Sequence, residues 1–145
     1  MKTLSLLVLV AGSIIADRAW AAVDDAETDA IRATELDYID GFYTGDGARM
    51  ESAVHPELAK HIGTTDPKMR QSTLGQMSAM TLVQRTRSGI GKRFPENRRQ
   101  RDLTILDRFE DTAIVKIVAA EWVDYLEMAK FDGKWKNQYP LDAQA

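Results

Sequence analysis

The fold is decided by residues 102–136, which read DLTILDRFEDTAIVKIVAAEWVDYLEMAKFDGKWK. Three runs in this stretch have the alternation, or the β-branched and aromatic content, that is typical of strands: 102–109, 112–119 and 122–131. Glu110-Asp111 predicts a turn between the first two runs, and Asp132-Gly133 is a dipeptide typical of a two-residue hairpin loop. The stretch therefore predicts an antiparallel meander.

Helical patterns precede this meander. Residues 24–43 carry acidic residues near their start and apolar residues at a spacing of three and four, which predicts a helix that ends at Gly45 and Gly47. A short second helix is expected over Ala48–Val54, before His55-Pro56.

A third helix is expected over residues 73–87, capped by Ser72 or Thr73, and a polar loop over residues 88–101. Helices that come first and strands that come last predict an α+β fold, with the helices packed on one face of an antiparallel sheet.

The first 21 residues resemble a cleavable signal peptide. Lys2 precedes the apolar run 4–15, and Ala19-Trp20-Ala21 has small residues at the two positions that a signal peptidase requires. The run is too short for a transmembrane helix. A buried N-terminal strand or helix is the alternative. We expect cleavage after Ala21, a domain over residues 22–145, a periplasmic or secreted location, and no membrane anchoring after cleavage.

Composition excludes several kinds of site. The chain has 145 residues, a formal net charge of −3 and no cysteine, so disulfides and thiolate chemistry are excluded. The basic cluster Arg85–Arg101 stands in an acidic chain, and we expect no nucleic-acid partner. His55 and His61 lack a zinc-binding spacing, and no phosphate-binding glycine loop is present. The sequence thus predicts neither a metal nor a cofactor.

Several motifs together resemble one known family. They are DYIDGFYTGD (37–46), HPELAK (55–60), DLTILD (102–107), WVDYL (122–126) and DGKWK (132–136). In this order they are similar to the putative lumazine-binding family of the nuclear transport factor 2-like superfamily, over about residues 27–136. The resemblance implies a cone-shaped fold with a long first helix and a curved sheet around a pocket. It also implies homodimers through the outer sheet face, but no particular activity.

Three residues are candidates for catalysis. Asp124 lies among apolar neighbours on a predicted strand, where a carboxyl group with a raised pKa acts as a general acid or base. The alternative is a structural Asp124, at a strand end or paired with Lys116 or Arg108. Tyr38 is added because isomerases of the resembled fold use a helix tyrosine to hold an oxyanion. His55 is added as a hydrogen-bonding group or base, and its alternative role is to close a helix.

A second set of residues is expected to line an apolar pocket for a flat ligand. Methionine and aromatic side chains suit such a pocket, although at helical spacing they also form ordinary cores. The predicted lining residues are Tyr38, Phe42, Met77, Met80, Trp122 and Tyr125.

The C-terminal residues 137–145 depart from the family pattern. They read NQYPLDAQA, with little alternation and with Pro140, which donates no hydrogen bond to a sheet. Either the last strand is short and at an edge, or the end of the chain is altered.

Two functions follow from these observations. The first is a non-catalytic, exported binding or accessory domain for a small apolar or flat ligand. The alternative is an isomerase-, dehydratase- or cyclase-like enzyme that uses Asp124 with Tyr38 or His55. A dimeric interaction domain without a ligand is a third possibility.

Overall fold

The meander predicted from residues 102–136 belongs to a seven-stranded sheet in the computed structural model, which describes the backbone of residues 11–139 and 141–144 and the side chains of residues 26–139. The strands are β1 (Ala59–Asp66), β2 (Gln71–Ser78), β3 (Asp102–Phe109), β4 (Thr112–Val118), β5 (Trp122–Phe131), β6 (Lys134–Asn137) and β7 (Leu141–Gln144). Their order is β2-β1-β7-β5-β4-β3, and β6 pairs with β5.

The helices are α1 (Ala11–Thr44), α2 (Gly47–Ala53) and α3 (Ala79–Arg87), followed by two short 3₁₀-helices, Ile90–Arg93 and Glu96–Arg98. The chain divides into two units, Met1–Ile31 and Arg32–Ala145. The second unit contains the last part of α1, every strand and all side chains discussed below. Its helices and mostly antiparallel sheet confirm the predicted α+β class.

Helix α1 begins earlier than expected. The acidic residues from Asp24 to Asp29 were predicted to mark its start, but the helix already includes Ala11 and they lie in its interior. No glycine or proline occurs between Gly12 and Gly41, so nothing in the covalent chain interrupts the helix there. The proposed signal peptide lies partly outside the described residues, because residues 1–10 are not described.

The second helix is confirmed to within one residue at each end. The carboxylate of Asp46 caps α2 by accepting hydrogen bonds from the backbone N–H groups of Ala48 (3.0 Å) and Arg49 (3.1 Å). Gly45 has a positive φ of 73° and ends α1. A β-carbon at Gly41 would lie 3.0 Å from the backbone nitrogen of Met50, so the two helices meet closely.

The predicted helix over residues 73–87 is wrong in its first half. Residues 71–78 form β2, which pairs antiparallel with β1, a strand that we did not predict. The helix begins only after Ser78, whose hydroxyl accepts from the N–H of Thr81 at 3.3 Å. β2 is an edge strand with mostly exposed side chains, and it therefore lacks the alternation from which a strand is recognised.

Strands β3, β4 and β5 confirm the predicted meander. Buried and more exposed side chains alternate along β4 and β5, and the fully buried face carries Val115, Ile117, Asp124, Leu126 and Met128. At the predicted hairpin turn, Asp132 and Gly133 both have positive φ angles, of 48° and 75°, as a tight two-residue loop requires.

The C-terminal strand is short but not at an edge. β7 lies between β1, to which it is parallel, and β5, to which it is antiparallel. β6 and β7 pair with successive parts of β5, over Met128–Phe131 and Trp122–Tyr125 respectively. The expectation of an edge strand was wrong because the pairing of β1 with β7 joins residues about 80 positions apart.

Candidate functional site

A cavity of about 140 Å³ lies within the unit Arg32–Ala145. Its walls are formed by α1, β1, β2, α3, β5 and the loop after α3. The sequence spacing of the lining residues within an element explains why their side chains share one face of it. Tyr38 and Phe42 are four apart on α1, whereas Lys60 and Ile62 are two apart on β1. The remaining lining residues are Met77, Leu82, Arg85, Ile90, Arg93 and Trp122.

The buried end of the cavity holds a hydrogen-bonded cluster around Asp124. Lys60 Nζ lies 2.7 Å from Asp124 Oδ1, and the Tyr38 hydroxyl donates to Asp124 Oδ2 at 3.2 Å. Trp122 Nε1 donates to Oδ2 at 3.0 Å, and Lys60 Nζ donates to the Tyr38 oxygen at 2.8 Å. Asp124 is fully buried and does not line the cavity, so it orients the groups that do.

A second buried acid, Glu35, lies near this cluster. Its pKa is raised to about 8, chiefly by desolvation and also by the charge of Asp124, although the amide of Asn137 and the charge of Lys60 act in the opposite direction. Asn137 Nδ2 donates to Glu35 Oε2 at 3.5 Å. Among the described residues Glu35 Oε1 has no hydrogen-bond partner, and neither does Asn137 Oδ1. Glu35 is therefore mostly protonated at neutral pH.

Two arginines line the outer part of the cavity. Arg85 and Arg93 are exposed, in contrast to the buried Lys60 at the other end. Arg93 Nη2 lies 3.1 Å from Glu121 Oε2, and its guanidinium stacks on the Phe94 ring at 4.6 Å. Ile90 and Arg93 are three apart on a 3₁₀-helix, which has three residues per turn, so both face the cavity.

Gly91 allows this 3₁₀-helix to pack against α1. A β-carbon at Gly91 would overlap the backbone carbonyl group of Phe42. The glycine thus sets the position of Ile90 and Arg93 relative to the opposite wall.

Four of the six predicted lining residues lie at the cavity: Tyr38, Phe42, Met77 and Trp122. The other two, Met80 and Tyr125, do not line this cavity. Met80 is 71% exposed, because β2 continues to Ser78 and the helical stripe assumed for residues 73–87 does not exist. Tyr125 is 39% exposed on the opposite sheet face from Asp124, because successive residues of a strand alternate.

The three predicted catalytic candidates do not converge. Tyr38 and Asp124 meet, but His55 lies elsewhere, with its ring 4.3 Å from the ring of Phe131 and its Nδ1 accepting from the N–H of Glu57 at 3.2 Å. It follows the end of α2, beside Pro56, and does not line the cavity.

Lys60, and not His55, is the third member of the cluster with Tyr38 and Asp124. Lys60 also forms the ion pair with Asp124 for which Lys116 and Arg108 were the expected candidates. The Lys116 ammonium instead lies 5.9 Å from the Tyr125 ring, on the other face of the sheet.

Lys60 and Glu35 are the functional residues that sequence reasoning missed. Glu35 stood within the apolar face of the predicted first helix, and an acid at such a position indicates a buried carboxyl group. Lys60 could not be recognised because the strand that carries it, β1, was itself not predicted.

Tyr43, five residues after Tyr38, lies outside the cavity. Its hydroxyl donates to the carbonyl of Gln100 at 2.9 Å and accepts from the N–H of Ala120 at 2.9 Å, which makes it a buried structural residue. Among the residues that the structure describes, no group of three potential metal ligands occurs. Within the same part of the chain, the helices are too short or too polar to span a membrane.

Comparisons with known proteins identify the fold and the family. The chain is similar to an NTF2-like protein of unknown function from Silicibacter pomeroyi DSS-3, with 12% identity over 84% of this chain and 98% of that one and a TM-score of 0.63. It is similar to another from Methylobacillus flagellatus KT, with 17% identity over 83% of this chain and 93% of that one and a TM-score of 0.61. A third, from Shewanella baltica OS155, shares 18% identity over 83% of this chain and 94% of that one, with a TM-score of 0.55. No curated protein matches it.

At these identities the structural likeness shows the fold alone. The sequence itself matches the family model described as "Putative lumazine-binding" over residues 26–137, which is most of the chain. The chain therefore belongs to the putative lumazine-binding family and has an NTF2-like fold.

Proposed function

We propose that this protein is an exported, non-catalytic domain that binds a small flat molecule in the cavity. The observation that carries the proposal is a cavity with largely apolar walls and a buried polar end, where Asp124 holds Lys60 and Tyr38 in place. Binding sites for small molecules combine these two features. The family description supports a small ligand of this kind.

The volume of the cavity limits the size of the ligand. A cavity of about 140 Å³ is close to the roughly 150 Å³ of an apolar cavity that holds benzene. The cavity therefore suits a single ring, and larger ring systems would extend out towards solvent.

A catalytic role is the alternative, and it is favoured by the meeting of Asp124 with Tyr38. However, the Asp124 carboxylate already accepts hydrogen bonds from Lys60, Tyr38 and Trp122 and does not line the cavity. Because the carboxylate is fully buried behind these donors, it has no direct contact with a proton on a ligand in the cavity. These contacts support a positioning role for Asp124, and we therefore prefer binding.

Calorimetric titration of the mature domain tests this proposal. The panel consists of single-ring compounds such as benzamide, together with the larger pterins, flavins and steroids. We expect the single-ring compounds to bind, and the flavins and steroids to bind weakly or not at all. Ile62→Phe, which fills the cavity from β1, should abolish binding. Leu74→Phe is the matched control, because Leu74 lies on the paired strand and is 69% exposed. No binding by any compound, or unchanged binding in Ile62→Phe, would refute the proposal.

Export is a part of the proposal that rests on the sequence of residues 1–21. Expression in a bacterium followed by mass measurement of the periplasmic fraction should show a chain that begins at Ala22. Ala21→Arg should block cleavage and leave a heavier product. A full-length chain confined to the cytoplasm would contradict export.

We also propose that the protein forms a homodimer through the outer face of the sheet. Ile114 and Tyr125 both point away from the buried face of β4 and β5 and are 44% and 39% exposed, and Phe109 at the end of β3 is exposed as well. Such an apolar surface is typical of interfaces. Sedimentation equilibrium should show a dimer that Ile114→Lys weakens, whereas a monomer at all concentrations would contradict the proposal.

A further inference from the structure

We propose that the ligand is a small organic acid, with a single ring inside the cavity and a carboxylate at its rim against Arg85. This proposal rests on the binding function above and deepens it, because it names the chemical class of the ligand.

The charges lining the cavity have one sign. Lys60, Arg85 and Arg93 line it, and no acidic residue does. The charge of Lys60 is balanced by Asp124 at 2.7 Å, and that of Arg93 by Glu121 at 3.1 Å. Arg85 makes no side-chain hydrogen bond or ion pair with any residue in the part of the chain that the structure describes. The cavity thus carries about one uncompensated positive charge, at Arg85.

This charge lies at the outer end of the cavity. Arg85 is exposed on α3, whereas the Lys60 ammonium group is buried with only 6% of its side chain accessible. A ligand anion at the inner end would come close to the buried carboxylate of Asp124, and the repulsion between two such charges is costly where water is excluded. At the rim, the planar guanidinium of Arg85 offers paired donors that match a carboxylate.

Arg93 adds to this preference. Both partners of its ion pair with Glu121 are exposed: 63% of the Arg93 side chain and 50% of the Glu121 side chain are accessible to solvent. Such exposed pairs contribute little to stability. Arg93 is therefore able to exchange Glu121 for a ligand carboxylate at small cost.

The inner end accepts a neutral polar group. Lys60 and Tyr38 line the cavity there and are held by Asp124, so a hydroxyl or carbonyl on the far side of the ring would meet fixed polar atoms. A single ring with a carboxylate on one side and a hydroxyl opposite matches this arrangement, and 4-hydroxybenzoate is a simple probe of it.

The test compares 4-hydroxybenzoate with its neutral isostere 4-hydroxybenzamide by calorimetric titration of the mature protein at pH 7.5. We expect the acid to bind about tenfold more tightly or better, because hydrogen bonds to charged groups are stronger than those between neutral groups. We also expect the difference to shrink at high salt.

Arg85→Gln should reduce this preference at least severalfold, because it should weaken the binding of the acid more than that of the amide, and Arg85→Lys should restore part of it. Arg87→Gln is the matched control, because Arg87 is on the same helix but does not line the cavity and pairs with Glu51 at 2.7 Å. This variant should keep the full preference.

The outcomes separate this inference from the binding function. Equal affinity for the acid and the amide, or a preference that is as large in Arg85→Gln as in the parent, would overturn the inference and leave the binding function standing. If neither probe binds and the whole panel of ring compounds also fails, the binding function and the inference both fail.

Discussion

At the scale of the residue, Asp124 determines the geometry of the polar end of the cavity. Its two oxygens accept from an ammonium, a hydroxyl and an indole N–H, and these donors come from β1, α1 and β5 itself. A carboxylate with this many partners is rigid, and its partners are rigid with it. A ligand would therefore meet Lys60 and Tyr38 already in place, which lowers the entropic cost of binding.

Loss of this carboxylate should be costly. Asp124→Ala would leave the Lys60 ammonium buried without its counter-charge, and we expect a loss of about 3–5 kcal/mol in the free energy of unfolding. Urea denaturation measures the change. Glu121→Ala is the control, because it removes one partner of an exposed ion pair and should cost less than about 1 kcal/mol. Equal losses in the two variants would show that the Asp124 pair is not energetically distinct.

Glu35 should make the stability of the protein depend on pH. Its pKa is about 8 in the folded protein and near the ordinary value of 4.5 when unfolded. Between these values the unfolded chain has released the proton that the folded chain retains. The contribution of Glu35 to stability should therefore be greatest below about pH 4.5 and fall as the pH rises towards 8. A shift of this size corresponds to at most about 5 kcal/mol.

Glu35→Gln keeps the shape of the side chain and removes the titration. Denaturation of this variant and the parent at pH 5, 6.5 and 8 should show that the variant gains stability relative to the parent as the pH rises. The difference between the two proteins isolates Glu35 from other titrating groups. A constant difference across the three pH values would contradict a protonated Glu35 in the folded state.

At the scale of the element, the cavity exists because each helix or strand presents its lining residues at its own period. The lining residues are four positions apart on α1, two apart on β1 and three apart on the 3₁₀-helix Ile90–Arg93. The 3₁₀-helix is the wall most sensitive to a backbone change, because Gly91 brings its backbone against Phe42 on α1.

Gly91→Ala should therefore move this wall. The added methyl group would overlap the carbonyl group of Phe42, and we expect a loss of about 1–3 kcal/mol in stability together with weaker ligand binding. Thermal denaturation and calorimetric titration measure the two effects. Gly75→Ala is the matched control, since a β-carbon there has its nearest neighbour at 3.7 Å and the backbone needs no positive φ. If both variants behave like the parent, the close packing at Gly91 is not required.

At the scale of the whole molecule, β7 joins two parts of the sheet within Arg32–Ala145. It pairs with β1 on one side and β5 on the other, and these strands carry Lys60 and Asp124. A strand of four residues at the end of the chain thus connects the β1–β2 hairpin to the meander.

Removal of residues 140–145 should separate these parts of the sheet. We expect faster hydrogen exchange of the amides of β1, loss of ligand binding and a lower melting temperature, because β1 loses the hydrogen bonds on one edge. Removal of Ala145 alone is the control and should change none of these. Retention of β1 protection and of binding in the longer truncation would show that β7 is dispensable.

Local patterns were sufficient for much of the fold. The alternation in β3–β5, the Asp132-Gly133 turn and the length of α2 all depend on residues close together in the chain, and each was predicted correctly. β1 and β2 were missed because they lie at the edge of the sheet or beside a strand from the far end of the chain, where local periodicity carries little information.

The same distinction applies to the site. The sequence by itself determined the α+β class and the family resemblance. It also made Asp124 a candidate through the alternation of its strand, and Tyr38 a candidate through the resemblance. Only the tertiary structure decided that Lys60 and not His55 completes the cluster, that Met80 and Tyr125 face away, and that Arg85 lies at the rim. These are contacts between distant segments, and they are set by strand pairing and close packing that no local pattern encodes.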